Sequence, residues 1–452
     1  MQDVSSDIKI PNSVPFSMNL LFDKVLGEAV SRQGTGLIGA PSSGNCIGLY
    51  NHLDSTTANN KLFAGFNGTI YDAVTAAVSL SGLNTTAKMR FTTFLNTTLM
   101  LNGVQSQSYT SAGWVSTGGA LGVNGVPTGA QFPIEFKDRV YSAVTDRIYY
   151  TNTPTSGAVS WSAIGSGSIQ VEQEDGGGMI QGLNKVPGYL MIYKQRSLKR
   201  WNFDSSFPED LVNIGTQSHE SIVRARGKNY FFYGGDFYET NGSYPIRISR
   251  PIQKIVDGIA SSFYANVNGW SDNIDIYWSI GDVTINFDRG FTETYNNVVL
   301  RYTIDTQQWA PLQYAHEFRA MNQYISGNDT LIVGGDTNGQ VLQLNTGNSD
   351  YSGQAIKYIL QSPEFDFGFR QFKKTVSEKI FVHSDITVGA ELQARLDYGE
   401  WSSIGSLKDI VTEVQIQSLT ARIFEFRIVD SIIGEQVKLR GMDFPTVDVY
   451  EN

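Results

Sequence analysis

The chain has 452 residues, 41% of them hydrophobic and 12% aromatic, and carries a formal net charge of -10. That apolar content supports a large buried core and rules out a disordered chain, while an acidic balance with scattered Lys and Arg rules out a surface that wraps nucleic acid, which needs clustered positive charge. A single cysteine, Cys46, excludes an internal disulfide framework, so packing and β ladders must hold the fold.

In chain order, residues 1–18 contain Pro11 and Pro15 and little periodicity, and read as an arm that docks on a neighbour. They show no basic segment followed by an apolar core. No later stretch approaches the roughly 18 consecutive apolar residues of a membrane helix, so neither secretion by signal peptide nor membrane anchoring is expected. From residue 19 onward, 45 glycines in the chain and apolar positions that alternate or fall in short runs give the pattern of many strands joined by tight turns.

Seven segments repeat one shape, an apolar or aromatic strand, a short Gly, Asn or Asp turn and a second strand. They are KLFAGFNGTIYDAV from Lys61, TLMLNGVQSQSY from Thr98, RVYSAVTDRIYYTN from Arg139, YLMIYKQRSLKRWNF from Tyr189, NYFFYGGDFYETNG from Asn229, DIYWSIGDVTINF from Asp275 and TLIVGGDTNGQVLQLN from Thr330. With Ile70, Gln107, Ile148, Leu198, Phe237, Leu300 and Val341 as anchors, most intervals are about 40 residues, and two longer ones hold insertions. Such a period with four short strands per unit is that of a β-propeller; one large sandwich of unrelated hairpins is the alternative.

The clearest helix signal starts at Ser249-Arg250-Pro251. There a Ser cap and an early Pro precede Ile252, Ile255, Val256, Ile259 and Phe263, a spacing that predicts an apolar face of about three to four turns. At Ser362-Pro363 the pattern changes to alternating strands with less Gly, such as Phe424, Phe426 and Ile428 against Glu425 and Arg427. The expected fold is therefore all-β: an arm over 1–18, a β-propeller-like domain over 19–361 and a C-terminal β-sandwich over 362–452.

No residue qualifies as catalytic, cofactor-binding or metal-binding. His52, His219, His316 and His383 lie far apart, without a short metal-ligand spacing. Glu172, Glu174 and Asp175, before Gly176-Gly177-Gly178, offer paired carboxylates of the glycosidase kind, but a solvated turn entering a strand is the favoured reading; Asp272, Asp275 and Asp282 carry the same discount. The Gly-rich strings from Gly334 and Tyr233 lack the Lys-[Ser/Thr] of a phosphate loop and precede strands, so they read as hairpin turns. Lys194, Arg196, Lys199 and Arg200, with Tyr193 and Trp201, form the densest basic cluster; alternation splits them between the faces of a strand, which favours a sheet edge or subunit contact over single-stranded nucleic acid. Cys46 has no nucleophile context, and no G-x-S-x-G elbow occurs. Five N-x-[ST] sequons, at Asn67, Asn84, Asn96, Asn241 and Asn328, fit chance in a chain rich in Asn, Ser and Thr.

The strings NLLFDKVLGEAVSRQGTGLIGA from Asn19, RFTTFLNTTLMLNGV from Arg90, FKDRVYSAVTDRIYYTNTPTSGAVSWS from Phe136 and GTQSHESIVRARGKNYFFYGGDFYETNGSYPIRISRPIQ from Gly215, in this order, resemble the tail nozzle or hub proteins of short-tailed bacteriophages, also called packaged-DNA stabilisation proteins. The likeness spans residues 19–360, and the segment after Ser362 is also similar to such subunits. The resemblance implies a structural virion protein, without enzymatic activity or cofactor. It implies a homo-oligomeric ring of six copies below the portal and adaptor rings, assembled in the bacterial cytoplasm. Genomic DNA would pass through the ring without sequence-specific binding, and tail fibres or spikes would attach to it. A glycan-hydrolysing propeller, or a receptor- or glycan-binding tail protein using Trp114, Trp161, Trp270 or Trp278, is the alternative.

Overall fold

The structure is a computed structural model that describes residues 7–9, 16–22, 28–53, 60–115, 125–154, 158–172, 176–205, 207–287, 292–365, 373–375, 379–384, 390–407, 411–415, 419–432, 437–443 and 447–449. It is all-β, with antiparallel pairing in every ladder between the described strands. Seven four-stranded sheets follow one another over 46–80, 90–115, 131–170, 180–212, 223–247, 268–313 and 318–344. In the first six, the strands neighbour one another in sequence order. The seventh has three strands of its own and takes its fourth from far upstream: Thr35–Gly39 pairs with Val341–Leu344, Gly36 opposite Gln343 and Thr35 opposite Leu344.

The seven anchors chosen by spacing fall at equivalent places. Ile70, Gln107, Ile148, Leu198, Phe237, Leu300 and Val341 each lie in the third strand of their sheet. First strands pack side by side from each sheet to the next, and Phe318–Ser326 of the seventh packs against Cys46–Leu53 of the first. Each adjacent pair of sheets shares an apolar cluster: Met191 and Tyr193 meet Phe231 between the fourth and fifth, and Val333 and Val341 meet Cys46 and Leu62 between the seventh and first. With both faces covered, a strand has no wet side. This is why Leu190, Met191, Ile192 and Tyr193 are all buried and why the central strands read as apolar runs.

Two larger sheets draw on both ends of the chain. One orders Leu20–Leu21, Ala29–Ser31, Lys438–Asp443, Lys379–Ser384 and Val411–Gln415, with Asp7–Lys9 also on Lys438–Asp443. The other orders Phe16–Met18, Ile356–Gln361, Phe424–Ile432, Glu391–Leu396 and Ser402–Ser406. They bury one core between them, with Leu20, Ile380 and Val382 from the first against Leu392, Phe424 and Phe426 from the second. Phe16–Met18, Leu20–Leu21, Ala29–Ser31 and Ile356–Gln361 belong to these two sheets, and Leu20, Ala29 and Tyr358 lie in the shared core.

The helix expected from Ser249 is broken. A 3-10 turn Arg250–Ile252 runs into a single α turn, Gln253–Val256, and a 3-10 segment Ser261–Asn266 follows. Ile252, Ile255, Val256 and Ile259 are buried as their spacing implied. At Gly258, however, the chain leaves the helix to accept a hydrogen bond from Thr284 N, and Ile259 bridges to Val283. A Cβ at position 258 would stand 2.4 Å from the Thr284 carbonyl oxygen, so a sheet edge replaces the helix's later turns.

The same long insertion contains a hairpin, Asp275–Asn286 with Thr292–Thr303, that reaches past its sheet to the C-terminal pair. Phe16 packs on Phe287 and Tyr295, with ring centroids 5.4 and 5.2 Å apart, and Arg427 pairs with Glu293 at 3.0 Å.

Candidate functional site

The densest charged constellation that joins separate parts of the chain lies where the connections between sheets converge. Lys88 and Arg90 stand at the entrance to the second sheet. Glu220 sits in the 3-10 turn His219–Ser221 between the fourth and fifth. Its carboxylate receives Lys88 Nζ at 3.0 Å and Arg90 Nε at 2.8 Å. Lys88 also donates to the Ala265 carbonyl before the sixth sheet, and Arg90 to Gln131 Oε1 at the start of the third. Segments of sheets that are not neighbours are thus tied together.

An aromatic floor lies beneath these charges. The Arg90 guanidinium stands 4.5 Å from the Phe132 ring, and Phe132 lies 5.0 Å from the His219 ring. Burial works to raise the Glu220 carboxyl, but Arg90 and Lys88 outweigh it and hold the group well below the ordinary carboxylate range. Burial pushes the His219 imidazole down to about 4. A permanently ionised carboxylate locked to two cations is a poor general base, whose affinity for protons must lie near the working pH. The geometry suits a cross-brace.

The residues singled out from sequence are dispersed. His52 is buried, with Nδ1 2.8 Å from Thr98 Oγ1 and its ring between Phe63 and Tyr109. His316 Nδ1 is 2.9 Å from buried Asp336, whose other oxygen accepts the Asn338 and Gln340 amides. His383 lies in Lys379–Ser384 of the C-terminal pair. Asp272 accepts the Ile274 and Asp275 amides, and Asp282 accepts the Asn297 amide. Asp275 is buried against Arg301 and Thr303; burial raises its carboxyl and Arg301 opposes the rise. Glu172 faces Lys199, and Glu174 and Asp175 lie outside the described residues. Among the described residues, no group of three or more His, Cys, Asp or Glu is placed to hold a metal ion.

The basic cluster is largely internal. Lys194 and Lys199 are buried, Lys194 donating to the Glu172 carbonyl and Lys199 pairing with Glu172 and Asp210. Arg200 pairs with Glu209 at 2.9 Å, donates to the Gly242 carbonyl and lies over the Tyr189 ring. Lys194, Lys199 and Arg200 are thus engaged within the molecule, while Arg196 is exposed. Trp161 and Trp278 are buried, and Trp114 and Trp270 pack partly buried against apolar clusters.

The two Gly-rich strings differ. Gly234 and Gly235 form a hairpin turn with φ of 61° and 84°, as expected. Gly334 and Gly335 instead lie inside the strand Asp329–Asp336, and the turn comes later, at Gly339. Gly335 is required by close approach, since a Cβ there would stand 2.3 Å from Cys46 Sγ. Burial pushes the Cys46 thiol up to about 12, so it is a packing group.

Neither a protein-family model nor a curated protein matches this chain. Among solved structures, a computationally designed protein aligns at 11% identity over 70% of this chain and 100% of its own, with a TM-score of 0.40. The extracellular domain of the one component system BT4673 from B. thetaiotaomicron aligns at 10% identity over 92% of this chain, with a TM-score of 0.46. This chain covers 61% of the length of that domain.

Proposed function

We propose that the seven sheets are the blades of a propeller, that the two terminal sheets form a sandwich beside it, and that the chain is a structural subunit of the tail nozzle of a short-tailed bacteriophage. The observation that carries the structural reading is the use of the chain ends. Thr35–Gly39 fills the outer place of the last sheet, so a strand from before the first blade fastens the seventh. Phe16–Met18 then pairs with Ile356–Gln361, and Ala29–Ser31 with Lys438–Asp443. Strands from early and late in the chain thus share one body, a construction suited to a part under mechanical load.

Charged contacts between distant parts of the chain serve as braces: Glu220 between Lys88 and Arg90, and buried Arg32 on Asp350. The tail assignment itself rests on the ordered resemblance of residues 19–360. Its test is electron microscopy of the recombinant chain mixed with the adaptor and portal proteins of its own phage. A ring seated below the adaptor is the expected result, and a chain that never enters such an assembly sinks the assignment.

A further inference from the structure

The sequence holds six Asn-Gly pairs, at 67–68, 102–103, 124–125, 241–242, 268–269 and 338–339. Such a pair can modify itself, because glycine has no Cβ to shield its backbone nitrogen from the preceding carboxamide. Whether it does depends on what holds the carboxamide and the glycine N–H. Asn102 is buried, its Oδ1 accepts the Val104 and Gln105 amides, and Gly103 N donates to the Ala130 carbonyl at 3.1 Å. Asn268 is buried, and its Nδ2 donates to the Asn266 and Phe318 carbonyls. Asn241 Oδ1 accepts the Ser243 amide, and Gly242 N donates to Thr240 Oγ1 at 3.0 Å. Asn67 Nδ2 donates to the Ser43 carbonyl at 2.7 Å. Asn124 lies outside the described residues.

Asn338 differs from these. It is exposed, and among the described residues neither its carboxamide nor Gly339 N makes a hydrogen bond. The backbone around the pair is nevertheless held closely. Asp336 Oδ1 accepts the Asn338 and Gln340 amides, each at 2.8 Å, and Asp336 N donates to the Gln340 carbonyl at 2.9 Å. A Cβ on Gly339 would stand 2.2 Å from the Ser42 carbonyl oxygen, so this turn lies directly on the chain that leaves Thr35–Gly39. The next residues, Val341–Leu344, are the strand that pairs with Thr35–Gly39. The pair with both reacting groups free therefore sits in the turn that sets up the pairing of the seventh sheet's fourth strand.

We propose that Asn338-Gly339 is a site of self-modification, at which the chain converts its own asparagine to aspartate and isoaspartate and so loosens the seam between the seventh and first sheets. Gly339 N gives up its proton to solvent and attacks Asn338 Cγ. The new N–Cγ bond closes a cyclic imide, and the Cγ–Nδ2 bond breaks and releases ammonia. Water then opens one of the two imide carbonyls, leaving either an aspartate or an isoaspartate whose backbone runs through the former side chain. No oxidant, reductant or second protein is consumed. The isoaspartate inserts a methylene into a turn with no slack against Ser42, and both products place a new negative charge two residues from the buried Asp336 carboxylate.

The inference is independent of the tail reading and is tested on the full chain. The purified protein is incubated at mildly alkaline pH and sampled by peptide mapping with mass spectrometry and by an isoaspartate methyltransferase assay. Residue 338 should convert first, at least about tenfold faster than Asn102, Asn241 or Asn268, which can react only after local opening. Its conversion should quicken as pH rises, because Gly339 N must first lose its proton. Cys46 shares an apolar cluster with Val333 and Val341 and reports on the seam, so its reaction with a thiol reagent should quicken in the converted protein. Asn338→Gln keeps a neutral amide but would have to close a larger, slower-forming ring. This variant should stay unconverted and keep Cys46 slow through the same incubation. Conversion of another described pair ahead of Asn338, or no conversion at all, overturns the inference. So does conversion at 338 with Cys46 labelling unchanged, or labelling that quickens equally in Asn338→Gln.

Discussion

Arg32 Nε donates to Asn19 Oδ1 at 2.9 Å, and the same buried guanidinium forks onto both oxygens of Asp350 at 2.9 and 2.7 Å. Asn19 also accepts the Gln313 amide and donates to the Lys357 carbonyl, while its backbone takes a φ of 62°. One side-chain pair therefore fastens the N-terminal strands, the outer strand of the sixth sheet and the start of the C-terminal sheets. Arg32→Ala would leave Asp350 buried without its cation, a loss of about 3–5 kcal/mol. Asn19→Ala removes three hydrogen bonds and asks a Cβ-bearing residue without a polar side chain to hold a left-handed backbone, at about 2–4 kcal/mol. Urea denaturation should show both losses, and the double variant should cost less than their sum because the network is shared. Strict additivity would refute the coupling.

His219 and Glu220 set an acid limit on stability. The His219 imidazole binds its proton at about 4 in the fold and at its ordinary 6.5 when unfolded, so between those values the unfolded chain takes up more protons. Its contribution is complete above pH 6.5 and fades as pH falls towards 4, a change of order 3 kcal/mol. The Glu220 carboxyl, also lowered in the fold, acts in the same direction at more acidic pH. His219→Gln should flatten the stability profile between pH 6.5 and 4, followed by chemical denaturation in buffers across that window. A slope equal to that of wild type would show that other groups govern acid unfolding.

Cys46 reports on the seam between the first and seventh sheets. Its buried thiol, raised to about 12, should resist a thiol reagent at neutral pH until that seam opens. The neighbouring Gly335→Ala forces a Cβ against the sulfur and should cost about 1–3 kcal/mol and speed labelling by at least about tenfold. Labelling of the native wild-type chain at the rate of a free thiol would contradict the close packing.

The repeat was legible because spacing survives sequence drift. All seven anchors lie in third strands, because each four-stranded unit repeats the same strand order at a similar spacing. The fourth strand of the seventh sheet was not legible. Thr35–Gly39 is five residues long and pairs with residues about 300 positions away, and nothing within a short window marks a strand whose partner is so remote. The same holds for Glu220, whose cations lie 130 and 132 residues upstream. The helix from Ser249 failed for a different reason: its apolar spacing was real, but the approach of Thr284 at Gly258 overrode local preference.

Arg427 adds a charged contact to the join between the seven-sheet body and the terminal sheets, and its neighbours make that testable. Arg395 and Glu425 form a buried bidentate pair at 2.7 and 2.6 Å within the terminal core. Trp401 packs beneath both Arg395 and Arg427, while Arg427 reaches out to Glu293 on the long hairpin. Removing Glu425 alone strands a buried guanidinium, so Glu425→Ala should cost about 3–5 kcal/mol, whereas Arg395→Met with Glu425→Leu should be close to neutral. Glu293→Gln leaves that core intact and removes only the charge that crosses to the body. Scanning calorimetry should then show a single transition splitting in Glu293→Gln and shifting as one in Glu425→Ala. If Glu293→Gln leaves one unsplit transition, the shared apolar contacts of Phe16 with Phe287 and Tyr295 carry the coupling, and Arg427 is dispensable to it.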